Sequence, residues 1–284
     1  EAADGLIHTS NLYHTQPAVR LAELLVEHSF ADRVFFCNSG AESVEGALKF
    51  AIFHSEIQRR KVIAFRGSFH GRTLGALSVT DMPHHHQVFG SKAVTRAFAP
   101  FNDEAALAQI DEFTGAVIVE PIQGEGGVRV ASPVWLKSLR ERCTEVGALL
   151  IFDEVQTGLG RTGMLWAHEW SGVTPDLMTL AKPLAGGLPM GAVLMTEAVA
   201  SSVHPGLHAT TFGGGPLVAS VGARVFEQLS EPDFLAEVRA KSAFLREQLA
   251  ALGSPYIADV RGQGLLLGLE LALPGVESPA KATV

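Results

Sequence analysis

The sequence has few cysteines and no long hydrophobic run. Cys37 and Cys143 are its only cysteines among 284 residues, too few for a disulfide framework. We therefore expect two ordinary buried thiols and a reducing, cytoplasmic setting. The longest apolar runs fall far short of the roughly 20 residues that a membrane-spanning helix needs, so the sequence predicts no membrane partner.

Basic and aromatic residues are also scarce. The chain has 22 lysines and arginines against 30 aspartates and glutamates, and its net charge is −8. No basic stripe offers a surface for nucleic acid. Aromatic residues make up only 7% of the chain, which argues against a sugar-binding cleft. The 47% hydrophobic content still suffices for one large domain, or for one large and one small domain.

Strand-like and helix-like patterns alternate along most of the chain. Apolar residues at helical spacing predict helices over 16–29, 41–57 and 132–147. Short apolar runs predict strands over 33–37, 61–65, 93–99, 115–120, 148–153, 176–181 and 191–196. Continuously apolar strands separated by helices favour an α/β fold, with a mostly parallel sheet covered on both faces.

The character of the sequence changes after Pro216. Two long helical patterns, 216–229 and 232–252, precede a strand–turn–strand pattern over 256–273. We place a domain transition near residue 225, between a large domain (1–225) and the beginning of a small C-terminal α+β domain (226–284). The chain starts at Glu1 and ends in a loop-like segment, so we expect a piece of a longer protein, without its N-terminal segment and the rest of the small domain.

Three consecutive histidines, at 84–86, are a possible metal site. Three adjacent side chains do not easily face one ion, so we predict a surface loop there and no metal.

Several polar residues directly follow predicted strands. Ligands of parallel sheets bind at the carboxyl ends of the strands, so we expect Ser39, Glu120, Asp153 and Lys182 at one rim. In "CNSGAES" (37–43) a helix starts just after Gly40, and its N–H groups would bind an anion. An ordinary N-cap by the preceding polar residues explains the same pattern equally well.

Two loops at this rim carry further candidates. Phe69 in "RGSFHGRT" (66–73) either belongs to the core, which its pattern alone favours, or stacks on a flat ligand. Glu120 and Glu125 bracket the glycine-bearing loop "EPIQGEGGV" (120–128) and are expected to meet something positive. A glycosidase-like acid pair is an alternative, but it would need a cleft richer in aromatic residues.

Lys182 lies in "LAKPLAGGLPMG" (180–191), among apolar neighbours. Desolvation there would disfavour the charged form and leave a nucleophilic amine. The alternative is a surface lysine whose amine extends into solvent.

The stretch "ALLIFDEVQTGLGRTG" (148–163) contains the pattern G-x-G-x-x-G after a strand. Taken alone, that pattern suggests an NAD-binding dehydrogenase. The context argues against it, because Glu154 to Thr157 separate the strand from the first glycine and no clear helix starts at Gly163. We therefore predict that these glycines form a turn and that the chemistry lies at Asp153.

One ligand, pyridoxal phosphate, suits all these parts. Its phosphate would bind at Gly40 and Ala41, its aldehyde would form a Schiff base with Lys182, and Asp153 would hold the proton of the ring nitrogen. That proton makes the ring an electron sink. A carboxylate at the end of a buried strand would be costly without such a partner.

The ordered motifs resemble the class III aminotransferases of fold type I. Seven stretches carry the resemblance between about residues 11 and 271: "NSGAES", "FHGRT", "EPIQGEGGV", "IFDEVQTGLGRTG", "LAKPLAGGLPMG", "HATTFGGGPL" and "VRGQGLLLG". The 29-residue interval between Asp153 and Lys182 is also that of the family. The similarity is greatest to the acetylornithine aminotransferase group, with its relatives that act on carrier-bound aminoadipate semialdehyde in lysine synthesis. The resemblance implies the fold type I architecture, with a seven-stranded, mostly parallel sheet.

The resemblance also implies roles for individual residues. Lys182 would be the Schiff-base lysine and proton shuttle. Val155 and Phe69 would pack against the two faces of the ring, and Gln156 would bond its hydroxyl. The implied cofactor-binding residues are Ser39, Gly40, Ala41, Phe69, His70, Glu120, Asp153, Val155, Gln156, Lys182 and Thr211. The implied catalytic residues are Lys182, Asp153 and Glu125.

The substrate side follows from the same resemblance. Arg72, Thr210 and Glu125 would lie near the substrate, and Glu125 resembles the gating carboxylate that lets the site accept both a basic amino acid and glutamate. The resemblance implies a homodimer with a shared active site, completed by Thr210 and Thr211 of the partner subunit. The implied reaction moves the terminal amino group of an N-acylated ornithine- or lysine-type donor to 2-oxoglutarate, as in arginine or lysine biosynthesis.

Two departures from the family pattern leave alternatives open. Gly215 stands where the family usually has asparagine, and the C-terminal arginine motif that binds the substrate α-carboxylate has no counterpart. Arg261 belongs to a different motif and does not replace that arginine. The alternatives are an ornithine or 4-aminobutyrate aminotransferase, or a truncated homologue that binds the cofactor without catalysis.

Overall fold

A seven-stranded sheet forms the centre of the chain. The computed structural model describes residues 5–89, 93–272 and 275. The strands of the central sheet are β1 (Arg33–Cys37), β2 (Lys61–Phe65), β3 (Arg96–Ala99), β4 (Thr114–Val119), β7 (Leu149–Asp153), β8 (Leu177–Leu180) and β9 (Gly191–Met195). Two further pairs are β5 (Ile122–Gln123) with β6 (Arg129–Val130), and β10 (Ile257–Gln263) with β11 (Leu266–Leu271). All seven predicted central strands are confirmed.

The helices confirm most of the predicted pattern. The α-helices are α1 (Gln16–Glu27), α2 (Gly40–His54), α3 (Leu74–Ser78), α4 (Pro83–Phe89), α5 (Pro133–Val146), α6 (Glu197–Ala200), α7 (Pro216–Leu229) and α8 (Pro232–Ala251). Short 3₁₀ helices cover Ala105–Gln109 and Ala167–Trp170. Proline at the first turn of α1, α5, α7 and α8 suits their starts, since that turn needs no N–H from the residue.

The sheet is mostly parallel, as predicted. Its strand order is β1-β9-β8-β7-β4-β2-β3, and only β9 runs antiparallel to its neighbours β1 and β8. Every residue of β4, β7, β8 and β9 is buried, which explains why these strands read as continuous apolar runs. The parallel strands bring their carboxyl ends to one rim, where the candidate site residues lie.

Successive side chains of each strand point to opposite faces of the sheet, so a hydrophobic core lies on each face. In β4, Ala116 and Ile118 pack with residues of α2, whereas Val117 and Val119 pack with residues of α5. A third cluster joins α1 and α7 to β8 and β9. Because successive side chains of a strand point to opposite faces, both faces require helical cover, and the fold class is as the sequence predicts.

The C-terminal part begins with two helices and a hairpin. The predicted domain transition near residue 225 falls within α7, which packs against α1 of the large domain, and this boundary stays a prediction. The β10–β11 hairpin contacts the loops at the sheet rim. Arg261 donates from Nε to the Gly127 carbonyl (2.7 Å), and the Leu265 amide donates to the Arg161 carbonyl (2.9 Å).

The prediction of a loop at the three histidines is wrong. His84, His85 and His86 lie in α4, which Pro83 begins. The ring of His86 stacks on Phe98 of β3 at 5.8 Å and its Nε2 lies 2.9 Å from the Leu77 carbonyl, so tertiary contacts hold the helix in place. In residues 5–89 and 93–272 no group of three or more histidine, cysteine or acidic side chains could hold a metal ion.

Two further expectations concern the membrane and the cysteines. Within the part of the chain that the structure describes, no helix is long and apolar enough to cross a membrane. Cys37 and Cys143 are both buried, free thiols, as predicted. Burial raises the pKa of each thiol to about 12, so neither is a reactive thiolate at neutral pH.

Candidate active site

A cavity of about 290 Å³ opens at the carboxyl ends of the parallel strands. Strands β1, β2, β4, β7 and β8 all lead into it, so residues that are far apart in sequence meet there. Its lining residues are Gly40, Ala41, Phe69, His70, Gly71, Arg72, Glu120, Glu125, Asp153, Val155, Gln156 and Lys182. Eleven of the fourteen predicted site residues are therefore brought together.

The first turn of α2 forms one end of the cavity. The Ser39 hydroxyl accepts a hydrogen bond from the Glu42 amide (3.2 Å), and the Glu42 carboxylate accepts one from the Asn38 amide (2.5 Å). These bonds cap the helix, while Gly40 and Ala41 line the cavity. The first N–H groups of a helix have no partner within it, and the helix dipole is positive at this end. This end of the cavity therefore suits an anion.

Gly40 is tightly packed against the neighbouring cavity wall. A Cβ atom at position 40 would lie 2.7 Å from Cγ1 of Val155, closer than real side chains approach. Glycine at this position lets the start of α2 and the Val155 side chain touch. The anion-binding end and the wall that carries Val155 are therefore one continuous surface.

Asp153 lies at the base of the cavity and is 5% exposed. Its Oδ2 atom is 2.7 Å from Nδ1 of His70, and its Oδ1 atom accepts hydrogen bonds from the Thr179 hydroxyl (3.0 Å) and the Val155 amide (3.1 Å). Three partners thus fix the orientation of the carboxylate. A carboxylate held in this way suits a cationic ring nitrogen.

His70 is a buried histidine with one unpartnered nitrogen. Nδ1 is bonded to Asp153, while the buried Nε2 has no hydrogen-bond partner among the described residues. Burial alone would lower the pKa of His70, but the hydrogen bond and charge of Asp153, together with the charge of Glu120, outweigh it and raise that pKa. The predicted cofactor residue His70 therefore acts on the carboxylate beside it.

Phe69, Val155 and Gln156 form the walls of the cavity and are half-buried. The Arg72 guanidinium carbon lies 6.0 Å from the centre of the Phe69 ring. Gln156 packs closely over Gly124, where an added Cβ atom would overlap Oε1 of the glutamine. Phe69 is therefore a wall residue, against the core assignment that its local pattern alone favours.

Lys182 lines the cavity, but the expected desolvation of its amine is wrong. The residue is exposed, whereas its neighbours Leu180, Ala181 and Leu184 are buried in the core. The chain turns directly after β8, so the apolar neighbours point into the core and the lysine points out of it. A second cavity of about 440 Å³, beneath the tip of the β10–β11 hairpin, shares Gln156 and Lys182 with the first.

Three predicted site residues lie outside the cavity. Ser39 is exposed and caps α2, as one of the two alternatives for this motif predicts. Thr210 accepts a hydrogen bond from Nδ2 of Asn38 (2.9 Å), and Thr211 is exposed in the same loop. The contribution of these two threonines to the partner subunit's site stays a prediction.

Sequence inspection missed Thr179 and Gly71. Thr179 is a lone polar residue in the apolar strand β8, and this polarity is the signal that could have marked it as a partner of Asp153. Gly71 adopts φ = 131° and is close to Ala41 and Ala76, so an added Cβ atom would meet both at about 3 Å. Its place in "FHGRT" marks a close contact between two cavity walls.

The glycines that suggested a dinucleotide site form a turn. Gly160 and Gly163 have φ values of 83° and 86°, which favour glycine. An added Cβ atom at Gly163 would lie 2.7 Å from the side chain of Arg239 in α8. These glycines therefore serve chain reversal and packing against α8, and the geometry gives the dehydrogenase interpretation no support.

The chain is similar in sequence to known aminotransferases. The family described as "Aminotransferase class-III" matches residues 1–282. The acetylornithine aminotransferase of Rhodobacter capsulatus is 46% identical over 282 residues, which cover 96% of this chain and 72% of that protein. The mitochondrial acetylornithine aminotransferase of Alnus glutinosa is 47% identical, with coverage of 95% and 62%.

A solved structure extends the similarity to the fold. The ornithine aminotransferase of Toxoplasma gondii, described with partial occupancy of PLP at its active site, superposes with a TM-score of 0.91 at 33% identity. The match covers 98% of this chain and 68% of that one. The chain thus spans about two thirds of the length of these relatives. It belongs to the class III aminotransferases, pyridoxal-phosphate enzymes of fold type I.

Proposed function

We propose that this chain is the cofactor-binding part of an acetylornithine aminotransferase-like enzyme. The proposed reaction moves the terminal amino group of an N-acylated ornithine- or lysine-type donor to 2-oxoglutarate, as in arginine or lysine biosynthesis. The meeting of Lys182, Asp153 and the start of α2 in one cavity carries the proposal. The 46% and 47% identity to acetylornithine aminotransferases supports this choice of donor.

The residues of the cavity suit pyridoxal phosphate by their chemistry. Gly40 and Ala41 offer the start of a helix to a phosphate, and Asp153 offers an oriented, buried carboxylate to a ring nitrogen. Phe69 and Val155 offer apolar contacts to a flat ring, and Gln156 offers an amide to its hydroxyl. Lys182 offers a primary amine to the aldehyde. When bound, the cofactor would supply an electron sink for the reaction.

The protein residues have distinct tasks in the proposed reaction. His70 and Thr179 hold the Asp153 carboxylate in place, and this carboxylate would keep a proton on the ring nitrogen of a bound cofactor. Lys182 lies at the solvent-facing side of the cavity, where its amine can take up and return the proton of the reacting carbon. Arg72 and Glu125, both exposed at the mouth, provide one positive and one negative group for the substrate.

We also propose a homodimer with a shared site and a reducing, cytoplasmic setting. Thr210 and Thr211 lie in the loop 205–215, which precedes α7, and neither lines the active-site cavity of its own chain. Their place outside that cavity supports a contribution to the partner subunit's site. Two free, buried cysteines suit a reducing compartment.

The cofactor proposal can be tested by visible absorption spectroscopy. We expect the purified chain to develop a visible band with pyridoxal phosphate, and Lys182→Ala to lose it because no other amine occupies that position. Lys137→Ala, which removes an exposed lysine of α5, is the matched control and should keep the band. Absence of the band from the unmodified chain would reject cofactor binding by this chain.

The donor proposal can be tested on the same preparation. We expect N-acetylornithine to convert the bound cofactor into its amine form faster than ornithine or 4-aminobutyrate does. Faster conversion by ornithine would favour the activity named for the Toxoplasma gondii relative. A stable band with no response to any of the three donors would identify a homologue that binds the cofactor without catalysis.

A further inference from the structure

Two loops from neighbouring strands close over the cavity. The loop 66–73 follows β2 and carries Phe69, and the loop 120–128 follows β4 and carries Glu125. The first loop provides the apolar wall for the ring, whereas the second provides the exposed carboxylate at the mouth. The separation of these loops therefore sets the distance between the cofactor face and the substrate side.

The carboxylate of Glu120 is bonded to both loops. Its Oε1 atom accepts a hydrogen bond from the Phe69 amide (2.9 Å), and its Oε2 atom accepts one from the Gly124 amide (3.2 Å). Glu120 directly follows β4 and is only 6% exposed, so water does not readily replace these bonds. The buried Glu120 side chain thus bridges the two loops, beside a second bond between them from Nε2 of Gln123 to the Arg66 carbonyl (2.8 Å).

The two bonds differ in how well the surrounding structure supports them. The Phe69 loop is also held through His70, whose amide donates to the Thr80 hydroxyl (2.8 Å) and whose ring bonds to Asp153. The Gly124 bond is the longer one, and it lies beside Glu125. The pairing of β5 with β6 and the Gln123 bond hold the start of the Glu125 loop. Loss of the longer Glu120 bond would therefore free the turn at Gly124 and Glu125 before it frees the Phe69 loop.

The charged surroundings of Glu120 make its protonation sensitive to pH. Burial raises its pKa to about 7; the charge of Asp153 adds to the rise, while the charge of His70 and the two amide bonds oppose it. Arg72, Glu125 and Lys182 are the other charged groups that line the cavity. Protonation turns one carboxylate oxygen into a hydroxyl, which donates a hydrogen bond and is a poorer acceptor for an amide.

We propose that Glu120 is a positioning residue that ties the Glu125 loop to the Phe69 loop when ionised and releases the Glu125 loop when protonated. The proposal concerns the chain's own residues, and its link to substrate binding rests on the proposed aminotransferase function. The ionised form holds Glu125 at a fixed place at the mouth. The neutral form leaves the ring wall in place but loosens the substrate side.

Backbone amide NMR of the cofactor-free protein tests directly whether Glu120 links the two loops. We expect the Phe69 and Gly124 amide signals to titrate together with a midpoint of about 7, and the Gly124 signal to broaden at the acid end. In Glu120→Gln, an isosteric change, both titrations should disappear. Glu104→Gln, which alters an exposed glutamate with no capping bond, should titrate like the unmodified protein. Unchanged titrations in Glu120→Gln, or no common midpoint in the unmodified protein, would overturn the proposal.

Steady-state kinetics of the cofactor-loaded protein test the consequence for substrate. We expect Glu120→Gln to raise KM for the amino donor by about three- to tenfold and to lower kcat by a smaller factor, because the loosened Glu125 loop lies on the substrate side of the cavity. The KM of the unmodified protein should change through neutral pH as Glu120 ionises, whereas the raised KM of Glu120→Gln should stay constant over that range. A fall in kcat with unchanged KM would overturn the positioning role. If the unmodified protein and Glu120→Gln were both inactive, the proposed enzyme function would be rejected. The amide titrations would still support the link that Glu120 makes between the two loops.

Discussion

Asp153 and Glu154 are adjacent acidic residues with different surroundings. Asp153 ends β7 and lines the cavity. Glu154, which is 1% exposed, faces the 3₁₀ helix Ala167–Trp170 instead. There it accepts hydrogen bonds from the Ala167 amide (2.7 Å) and the His168 amide (2.9 Å). Each carboxylate also pairs with a histidine, His70 for Asp153 and His168 for Glu154.

The two carboxylates differ in whether the surrounding residues enclose them or leave one side facing a cavity. The bonds of Glu154 join two parts of the same chain and bury the carboxylate completely, which makes it a structural anchor. Asp153 has similar bonds but keeps one face toward a cavity, and its partner His70 has a nitrogen with no partner among the described residues. A buried carboxylate indicates a functional site when a cavity lies beside it, and a structural role when hydrogen-bond partners enclose it on all sides.

The largest expected effect separates the two carboxylates by activity. Asp153→Asn should lower kcat about 10³-fold or more, since an amide carries no charge to hold a proton on the ring nitrogen. Far-UV circular dichroism should show the fold unchanged. Glu154→Gln is the matched control, and its kcat per folded molecule should fall far less. A loss in Asp153→Asn of under tenfold would contradict the role of Asp153.

Glu154 should matter more than Asp153 for the stability of the fold, the reverse of their order for activity. Glu154→Ala leaves two backbone amides and the His168 ring without their acceptor, and we expect it to lower the free energy of unfolding by about 3–5 kcal/mol. Urea denaturation measures this loss. The control Glu141→Ala, on the exposed surface of α5, should cost less than about 0.5 kcal/mol. Equal losses in the two variants would show that Glu154 is no anchor.

Glu120 is a third buried carboxylate, and pH should distinguish it. Its pKa is about 7 in the folded chain and about 4.3 when unfolded, so the folded chain binds more protons between these values. Its contribution to stability is full below the unfolded pKa and is lost as pH rises toward 7. Between pH 5 and pH 8 we expect the ionisation of Glu120 to lower the free energy of unfolding by about 1–3 kcal/mol. The Glu120→Gln variant should not show this loss.

Urea midpoints of the cofactor-free proteins at pH 5, 6, 7 and 8 would measure the slope. The raised pKa of His70 acts in the same direction, because its contribution is present below the unfolded value and is lost as pH rises through the folded one. Because the charge of Glu120 helps to raise the pKa of His70, the difference between the two proteins reports on Glu120 together with its coupling to His70. Parallel curves for the two proteins would show that Glu120 titrates alike in the folded and unfolded states.

The smallest expected effect concerns Ser39, which the structure assigns to the helix cap. Ser39→Ala should lower the free energy of unfolding by about 1 kcal/mol, and Ser39→Gly by only a few tenths. Affinity for pyridoxal phosphate, measured by absorption titration, should change by less than about twofold, because the exposed hydroxyl caps α2 instead of lining the cavity. Weaker cofactor binding at unchanged stability would place Ser39 in the phosphate site.

Much of this arrangement could be predicted from the sequence. The strands are buried on both faces and therefore appear as continuous apolar runs, and the residues that directly follow them meet at one rim. Gly40, Asp153 and Lys182 are found together for this reason. The topology of a parallel sheet converts distance along the chain into proximity at its edge.

The remaining features depend on side-chain direction and tertiary contact, which periodicity does not encode. The apolar neighbours of Lys182 suggested burial, but they point into the core while the lysine points out of it. The histidines at 84–86 lack a helical hydrophobic pattern, and Pro83 together with the contact of His86 with Phe98 supports the helix. The different partners of Asp153 and Glu154 likewise required the positions of the 3₁₀ helix and of His70.

The contact between Gly40 and Val155 has a consequence for how this cavity can vary among relatives. Because a Cβ atom added at position 40 would lie only 2.7 Å from the valine methyl, bulk can be added at one position only if it is removed at the other. Substitutions at these two positions should therefore be epistatic, each harmful alone and tolerated together. We therefore expect positions 40 and 155 to change together among relatives.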